Sequence, residues 1–266
     1  MPLLPVLLVA SAVAGLLVGS FLNVVIHRVP RGQSIVRPGS HCPACGHAVR
    51  ARHNVPVLSW LLLRGRCADC RTPISARYPA VELATGLLFV AVTDQLARLD
   101  RLEALPAYLF FTSVGIALTA IDLDVLRLPN AIVYPAYVGM ASLLATASVF
   151  EGTAAPLVRA GVGASVLLAF YLTLVLVRPG GMGLGDAKLA GVVGGALGFL
   201  SYPALLVGAF AAFVIGGLAG VALLASRRAG MRSAVPFGPA MIAGALLAIF
   251  VGAPISHAYA HLLVPA

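Results

Sequence analysis

The sequence predicts an all-α polytopic membrane protein with about eight transmembrane helices. Of its 266 residues, 60% are hydrophobic and only 10% are charged, whereas a soluble domain carries about a quarter charged residues. Mean hydropathy is +0.99. The apolar residues also fall into runs close to the ~20 residues that a helix needs to cross a bilayer. The third observation is a polar, arginine-rich segment between the first two runs, which is the one place with room for a small domain.

The runs are 3–26, 79–97, 105–125, 130–150, 156–177, 187–201, 203–225 and 237–262. Before Arg28 the first run holds no Lys or Arg. A secretory signal opens on a positive region and ends at a cleavage site. Ala10-Ser11-Ala12 resembles such a site only faintly, so 1–26 reads as a retained span with its N-terminus outside. Residues 27–78 form the small domain, and 79–266 the remaining membrane domain. Inside the Gly/Ala-rich stretch 187–225, Ser201-Tyr202-Pro203 is the only turn signal, and the small residues there permit close helix packing. His257 and His261, four residues apart, offer a metal-binding pair, but read better as a polar cap at the outer end of the last run.

The net charge of +9 would suit nucleic acid, but positive charge at cytoplasmic loops also sets membrane topology. If the first loop is cytoplasmic, that side holds Arg28, Arg31, Arg37, Arg50, Arg52, Arg64, Arg66, Arg71, Arg77, Arg127, Arg178, Lys188, Arg227, Arg228 and Arg232. Arg98, Arg101 and Arg159 stay outside. The split is 15 against 3 of the 18 basic residues, which fits a bilayer, calls for no nucleic acid, and places both termini outside.

All four cysteines lie in the predicted loop domain. Cys42-Pro43-Ala44-Cys45 is followed, after 21 intervening residues, by Cys67-Ala68-Asp69-Cys70. Two Cys-x-x-Cys pairs at this separation fit a four-thiolate Zn2+ site. Gly46 allows a tight backbone after the second thiolate. Two disulfides are the alternative, which a cytoplasmic location disfavours. Four thiolates leave the metal no open position, so its predicted role is structural.

Asp122 and Asp186 stand at the ends of apolar runs, where a carboxylate is costly and usually functional. Two crossings separate them, so both fall near the cytoplasmic face. Two carboxyl groups that share one proton can hydrolyse a peptide bond: one draws a proton from water while the other donates. Pro129 presets the turn after Asp122. Gly183 and Gly185 free the backbone before Asp186, which is predicted to lie at a helix N-terminus. Asp124 competes with Asp122 but projects from another side of the helix; the bland alternative is a solvated residue or a partner for Arg127. Glu82, at the start of the second span, reads either as a buried functional acid or as a helix N-terminal one. Lys188 reads as a tuner of Asp186 or an interfacial anchor.

The chain resembles the bacterial type IV prepilin peptidases, the leader peptidase/N-methyltransferases that share a Gly-x-Gly-Asp motif with intramembrane aspartyl proteases. The resemblance rests on Gly19-Ser20-Phe21-Leu22-Asn23, the cysteine pairs with Asn54-Val55-Pro56 between them, Arg77-Tyr78-Pro79, Ile121-Asp122-Leu123-Asp124 through Pro129-Asn130, and Gly183-Leu184-Gly185-Asp186. Asn130 stands where Asp is also common, and Ala187 where a larger residue is usual. The resemblance implies a bacterial inner-membrane enzyme with Asp122 and Asp186 as its catalytic residues. Its substrates would be prepilins or pseudopilins, cleaved at the cytoplasmic face and then N-methylated with S-adenosylmethionine. No glycine-rich methyl-donor fingerprint is present. A peptidase-only enzyme and a proton-coupled transporter are the competing readings, with a zinc-sensing or assembly protein as a third. A transporter's coupling acids would normally lie near the bilayer midplane.

Overall fold

The computed structural model describes residues 3–178, 182–226 and 236–263, with side chains as far as residue 252. His257, His261, Arg227, Arg228 and Arg232 therefore lie outside the described side chains. The described residues form helices, turns and two isolated bridges, with no named strand. Residues Met1–Asp100 and Arg101–Ala266 are separate compact units.

In the first unit, α1 (Leu4–Arg28) packs along α3 (Arg77–Arg98). Small residues on α1 let the backbones meet: a Cβ on Gly19 would lie 2.7 Å from the Cα of Glu82. Deeper in the pair, the Thr93 hydroxyl donates to Ser11 Oγ at 2.8 Å. Between the two helices the chain holds short 3-10 turns at Val29–Arg31 and Ala51–His53, and one brief helix, α2 (Leu58–Leu62). Arg28 fastens this segment to the end of α1, donating to the carbonyls of Ser34 (3.0 Å), Pro38 (2.7 Å) and Gly39 (3.2 Å).

The second unit contains α4 (Leu105–Val125), α5 (Asn130–Glu151), α6 (Ala155–Val177), α7 (Leu184–Leu200), α8 (Tyr202–Ala225) and α9 (Gly238–Leu263). Ser201 caps α8 by accepting the Ala204 N–H at 3.1 Å, so the only turn signal in the small-residue stretch marks a real break. Each apolar run coincides with a helix to within three residues at either end. Among the described residues, six helices are long and apolar enough to cross a membrane: α1, α3, α4, α5, α6 and α8. The other two runs are α9, apolar over Gly238–Gly252, and α7, which has 17 residues. At 1.5 Å per residue α7 spans roughly 25 Å, short of the ~30 Å hydrocarbon core. Its neighbours are α5, α6, α8 and α9, and Leu189, Leu197 and Phe199 are fully buried. α7 is thus a core helix walled by other helices, which is why its composition runs to Gly and Ala. Against α6 the contact is backbone on backbone, because a Cβ at Gly163 or Gly194 would collide with the carbonyl oxygen of the other.

Contacts at the helix ends fix the antiparallel order. The Arg159 guanidinium, near the start of α6, donates to the Phe199 carbonyl at the end of α7 at 3.0 Å. Arg101 pairs with Glu151, the last residue of α5, at 2.6 Å. At the opposite end, Lys188 in the first turns of α7 donates to Asn130 Oδ1 at the start of α5, at 3.0 Å. The end of α4 and the starts of α5, α7 and α9 therefore meet at one end of this bundle.

Candidate active site and metal centre

Asp122 sits in the last turn of α4 and is 4% exposed. Its backbone carbonyl accepts the Leu126 N–H, and Leu126 closes the helix in the left-handed region at φ 52°. Pro129 then caps α5 in an extended conformation, as its fixed φ favours. The Asp122 carboxylate is reached from a distant part of the sequence, for the backbone N–H of Gly238, the first residue of α9, donates to its Oδ2 at 3.1 Å. A Cβ on Gly238 would lie 2.8 Å from that oxygen, so glycine is what lets the amide approach.

Asp186 is half-buried in the first turn of α7. Its Oδ2 accepts the N–H of Gly183, the residue that caps the helix, at 3.1 Å. A carboxylate here satisfies one of the amides that a helix start leaves unpaired, and the helix dipole favours its charge. Gly185 lies against Leu128, where a Cβ would come within 3.1 Å of the leucine Cβ, and Leu128 also borders Gly238. The α4–α5 connection is thus wedged between the starts of α7 and α9. Asp122 and Asp186 are placed at the same end of the bundle, on either side of Leu128.

Lys188 tethers α7 to α5 through Asn130 and rests its ammonium 5.1 Å from the centre of the Tyr134 ring. The Lys188 carbonyl accepts the Tyr137 hydroxyl at 2.6 Å. Asp124 is exposed, while Glu82 is 8% exposed in the other unit, its Oε2 accepting the Val57 N–H at 2.7 Å. Sequence reasoning missed three contributors. Gly238 supplies the amide to Asp122. Tyr171 is buried on α6. Phe237, next to Gly238, joins Tyr171 and Phe213 in an aromatic cluster with centroids 5.5–6.0 Å apart.

The four cysteines come together in the first unit, with Sγ atoms all within 4.8 Å of one another. Cys42 Sγ and Cys70 Sγ are 3.7 Å apart and all four are free thiols. Sulfurs 2.3 Å from a tetrahedral metal lie ~3.8 Å from each other, so the donor set fits a metal ion. A disulfide needs ~2.05 Å. Each pair forms the same knuckle: Gly46 N–H donates to Cys42 O (2.9 Å) and Arg71 N–H to Cys67 O (3.1 Å). Gly46 and Arg71, each following its second cysteine, take positive φ of 73° and 62°. The Thr72 hydroxyl, then its backbone amide, hold the Cys70 thiol down at about 6. The largest influence on Cys45, the His47 backbone amide, lowers its value, yet desolvation and the neighbouring Cys70 and Cys42 leave it pushed up to about 12. Four crowded thiols ionise together only around a cation.

Fold and site define a class: helical proteins of the membrane type that gather two carboxylates at one end of a bundle and carry four cysteines placed to hold a metal ion. Residues 13–96 match the bacterial peptidase A24 N-terminal domain, and residues 109–221 match the type IV leader peptidase family. A prepilin leader peptidase/N-methyltransferase of Aeromonas hydrophila is 36% identical, over 92% of this chain and 90% of its own. Another, of Myxococcus xanthus (strain DK1622), is 42% identical, over 86% of this chain and 67% of its own. A third, of Pseudomonas putida, is 36% identical over 91% and 90%. No solved structure matches. The chain belongs to the type IV leader peptidase family.

Proposed function

We propose that this protein is a prepilin peptidase and N-methyltransferase of the bacterial inner membrane, with Asp122 and Asp186 as its catalytic pair. The observation that carries the proposal is the placement of two carboxylates, 64 residues apart in sequence, at one end of the bundle, each fixed by a backbone N–H at a helix end. One carboxylate takes a proton from water as the water oxygen attacks the scissile carbonyl. The other, protonated, gives its proton to the carbonyl oxygen or to the departing amine. The two titrate as a pair and share these roles.

All eight helices that match the apolar runs cross the bilayer in this reading. Both termini are outside, and residues 27–78 and the carboxylates are on the cytoplasmic side. The substrate is a prepilin or pseudopilin whose basic leader stays cytoplasmic and whose apolar helix approaches from the lipid. The loop domain is itself basic, so gross charge attraction does not recruit the leader. Cys42, Cys45, Cys67 and Cys70 hold Zn2+, which organises the domain. After cleavage the new terminal amine, deprotonated, attacks the methyl carbon of S-adenosylmethionine. The N–C bond forms, the C–S bond breaks with its electron pair left on sulfur, and the nitrogen releases one proton to water.

A reconstituted assay with one prepilin, scored by product mass, tests both activities. Asp122→Asn and Asp186→Asn should each lower cleavage at least ~100-fold, within the range of general acid–base catalysis, while the protein still inserts. Full cleavage by either variant contradicts the assignment.

A further inference from the structure

The first unit contains a cavity that the cleavage chemistry does not use. It lies between the polar ends of α1 and α3 and the cysteine segment, with a volume of about 290 Å3. Pockets for small organic ligands begin at ~300 Å3, so it suits a nucleoside-sized molecule better than an extended peptide. Asn23, Asn54, Val57, Trp60, Tyr78 and Glu82 are among its lining residues.

We propose that this cavity is the binding site for the methyl donor, S-adenosylmethionine, with Trp60 and Glu82 as the recognising side chains. The assignment rests on the methylation reading above and adds its location. The donor has a flat adenine, a ribose diol, and a sulfonium beside an ammonium and a carboxylate. Trp60 offers a fixed aromatic surface. Its indole N–H donates to the Ile74 carbonyl at 3.0 Å, and Gly65 packs so close that a Cβ there would lie 2.9 Å from Cζ2. Such a ring stacks on a base or attracts a cation over its face.

Glu82 is the buried charge of the cavity. A carboxylate taken out of water gains most from a cation or paired hydroxyls, and the donor carries both. Its bond to the Val57 N–H holds a β-branched residue at φ 61°, ψ −51°, and conformations of this kind cluster at binding sites. Arg50, paired with Asp69 at 3.2 Å on the same wall, supplies a guanidinium for the donor's carboxylate. A basic leader fits less well. Residues 27–78 hold nine arginines and one acid, Asp69, a field that repels it.

Trp60 is the only tryptophan in the chain, so indole fluorescence reports on this cavity. The full-length, zinc-loaded protein in detergent is titrated with S-adenosylhomocysteine while fluorescence is followed. Methyl-labelled S-adenosylmethionine is measured separately by equilibrium dialysis. The expected result is a saturable fluorescence change with one site per chain. Glu82→Gln and Trp60→Phe should each raise Kd for the labelled donor at least ~10-fold, the size of one charge-assisted contact, with one zinc per chain retained. Asp186→Asn should bind the donor as the wild type does. The site is overturned if both cavity variants bind the donor normally, if Asp186→Asn loses it, or if a synthetic leader peptide displaces it. A wild type that methylates while the cavity variants bind unchanged refutes the site alone; a wild type that neither methylates nor binds refutes the methylation reading as well.

Discussion

At the scale of single residues, Asp122 and Asp124 differ in burial. Asp122 is buried and receives the Gly238 amide, while Asp124 is exposed. Asp124→Asn should therefore leave prepilin cleavage within about twofold of wild type, measured as kcat/KM; a loss as deep as that of Asp122→Asn would move the pair. Gly238→Ala tests the same geometry from the other side. The added methyl would sit 2.8 Å from Asp122 Oδ2, so the carboxylate or the start of α9 must shift. A misplacement near 1 Å costs roughly 100-fold in rate. We expect cleavage to fall ~10–100-fold in a protein that still inserts, and an unchanged kcat/KM would show that this amide contact is dispensable. The aspartates and their Gly and Pro neighbours were readable locally. Gly238 was not, because its role depends on a contact across 116 residues, and the glycine carries no signal of its own in sequence.

At the scale of elements, α6 and α7 approach because neither has a side chain at the crossing. Gly194→Leu must push the helices apart or tilt α7, and Asp186 rides on the first turn of α7. Overpacking of this kind costs ~1–3 kcal/mol. The variant should unfold several degrees lower in a thermal melt and lose cleavage together with stability. Gly217 on α8 has open space around it, so Gly217→Ala should melt at or above the wild-type temperature; equal effects at the two sites would remove the packing argument. The knuckles depend on something else. Residues 29–76 hold only five α-helical residues and two short 3-10 turns, so in the proposed reading metal binding supplies the folding free energy. Cys45→Ser should lose the metal and expose this segment to protease, while far-UV helicity stays near wild type. Retained metal content by elemental analysis would count against four-thiolate ligation. Spacing alone made the cysteine cluster legible, since two short pairs encode their own turns. The Val57–Glu82 bond and the aromatic cluster stayed hidden, because they join elements that sequence order does not put side by side.

At the scale of the whole molecule, the long apolar runs encode the helices almost directly, since a bilayer leaves the backbone few alternatives. α7 shows where that reading has to be adjusted. Its run looks like a span, yet it is short and enclosed by helices, so hydropathy reports burial in protein as readily as burial in lipid. The proposed topology therefore rests on charge and parity: 15 basic residues on one side against 3 on the other, and an antiparallel order that returns Asp122 and Asp186 to one end. Labelling with a membrane-impermeant maleimide tests it in intact cells. Cysteines introduced at Asp100 and Thr153, in the α3–α4 and α5–α6 connections, should react from outside. Cysteines at Arg127 and Arg178, beyond the ends of α4 and α6, should react only after permeabilisation. If α7 failed to cross, the α4–α6 sites would keep their pattern, but a cysteine placed at Ser201 would stay shielded with the inner set. External labelling at Arg127 would put Asp122 on the wrong side for a cytoplasmic leader, and the cleavage reading would then need a different pair of acids.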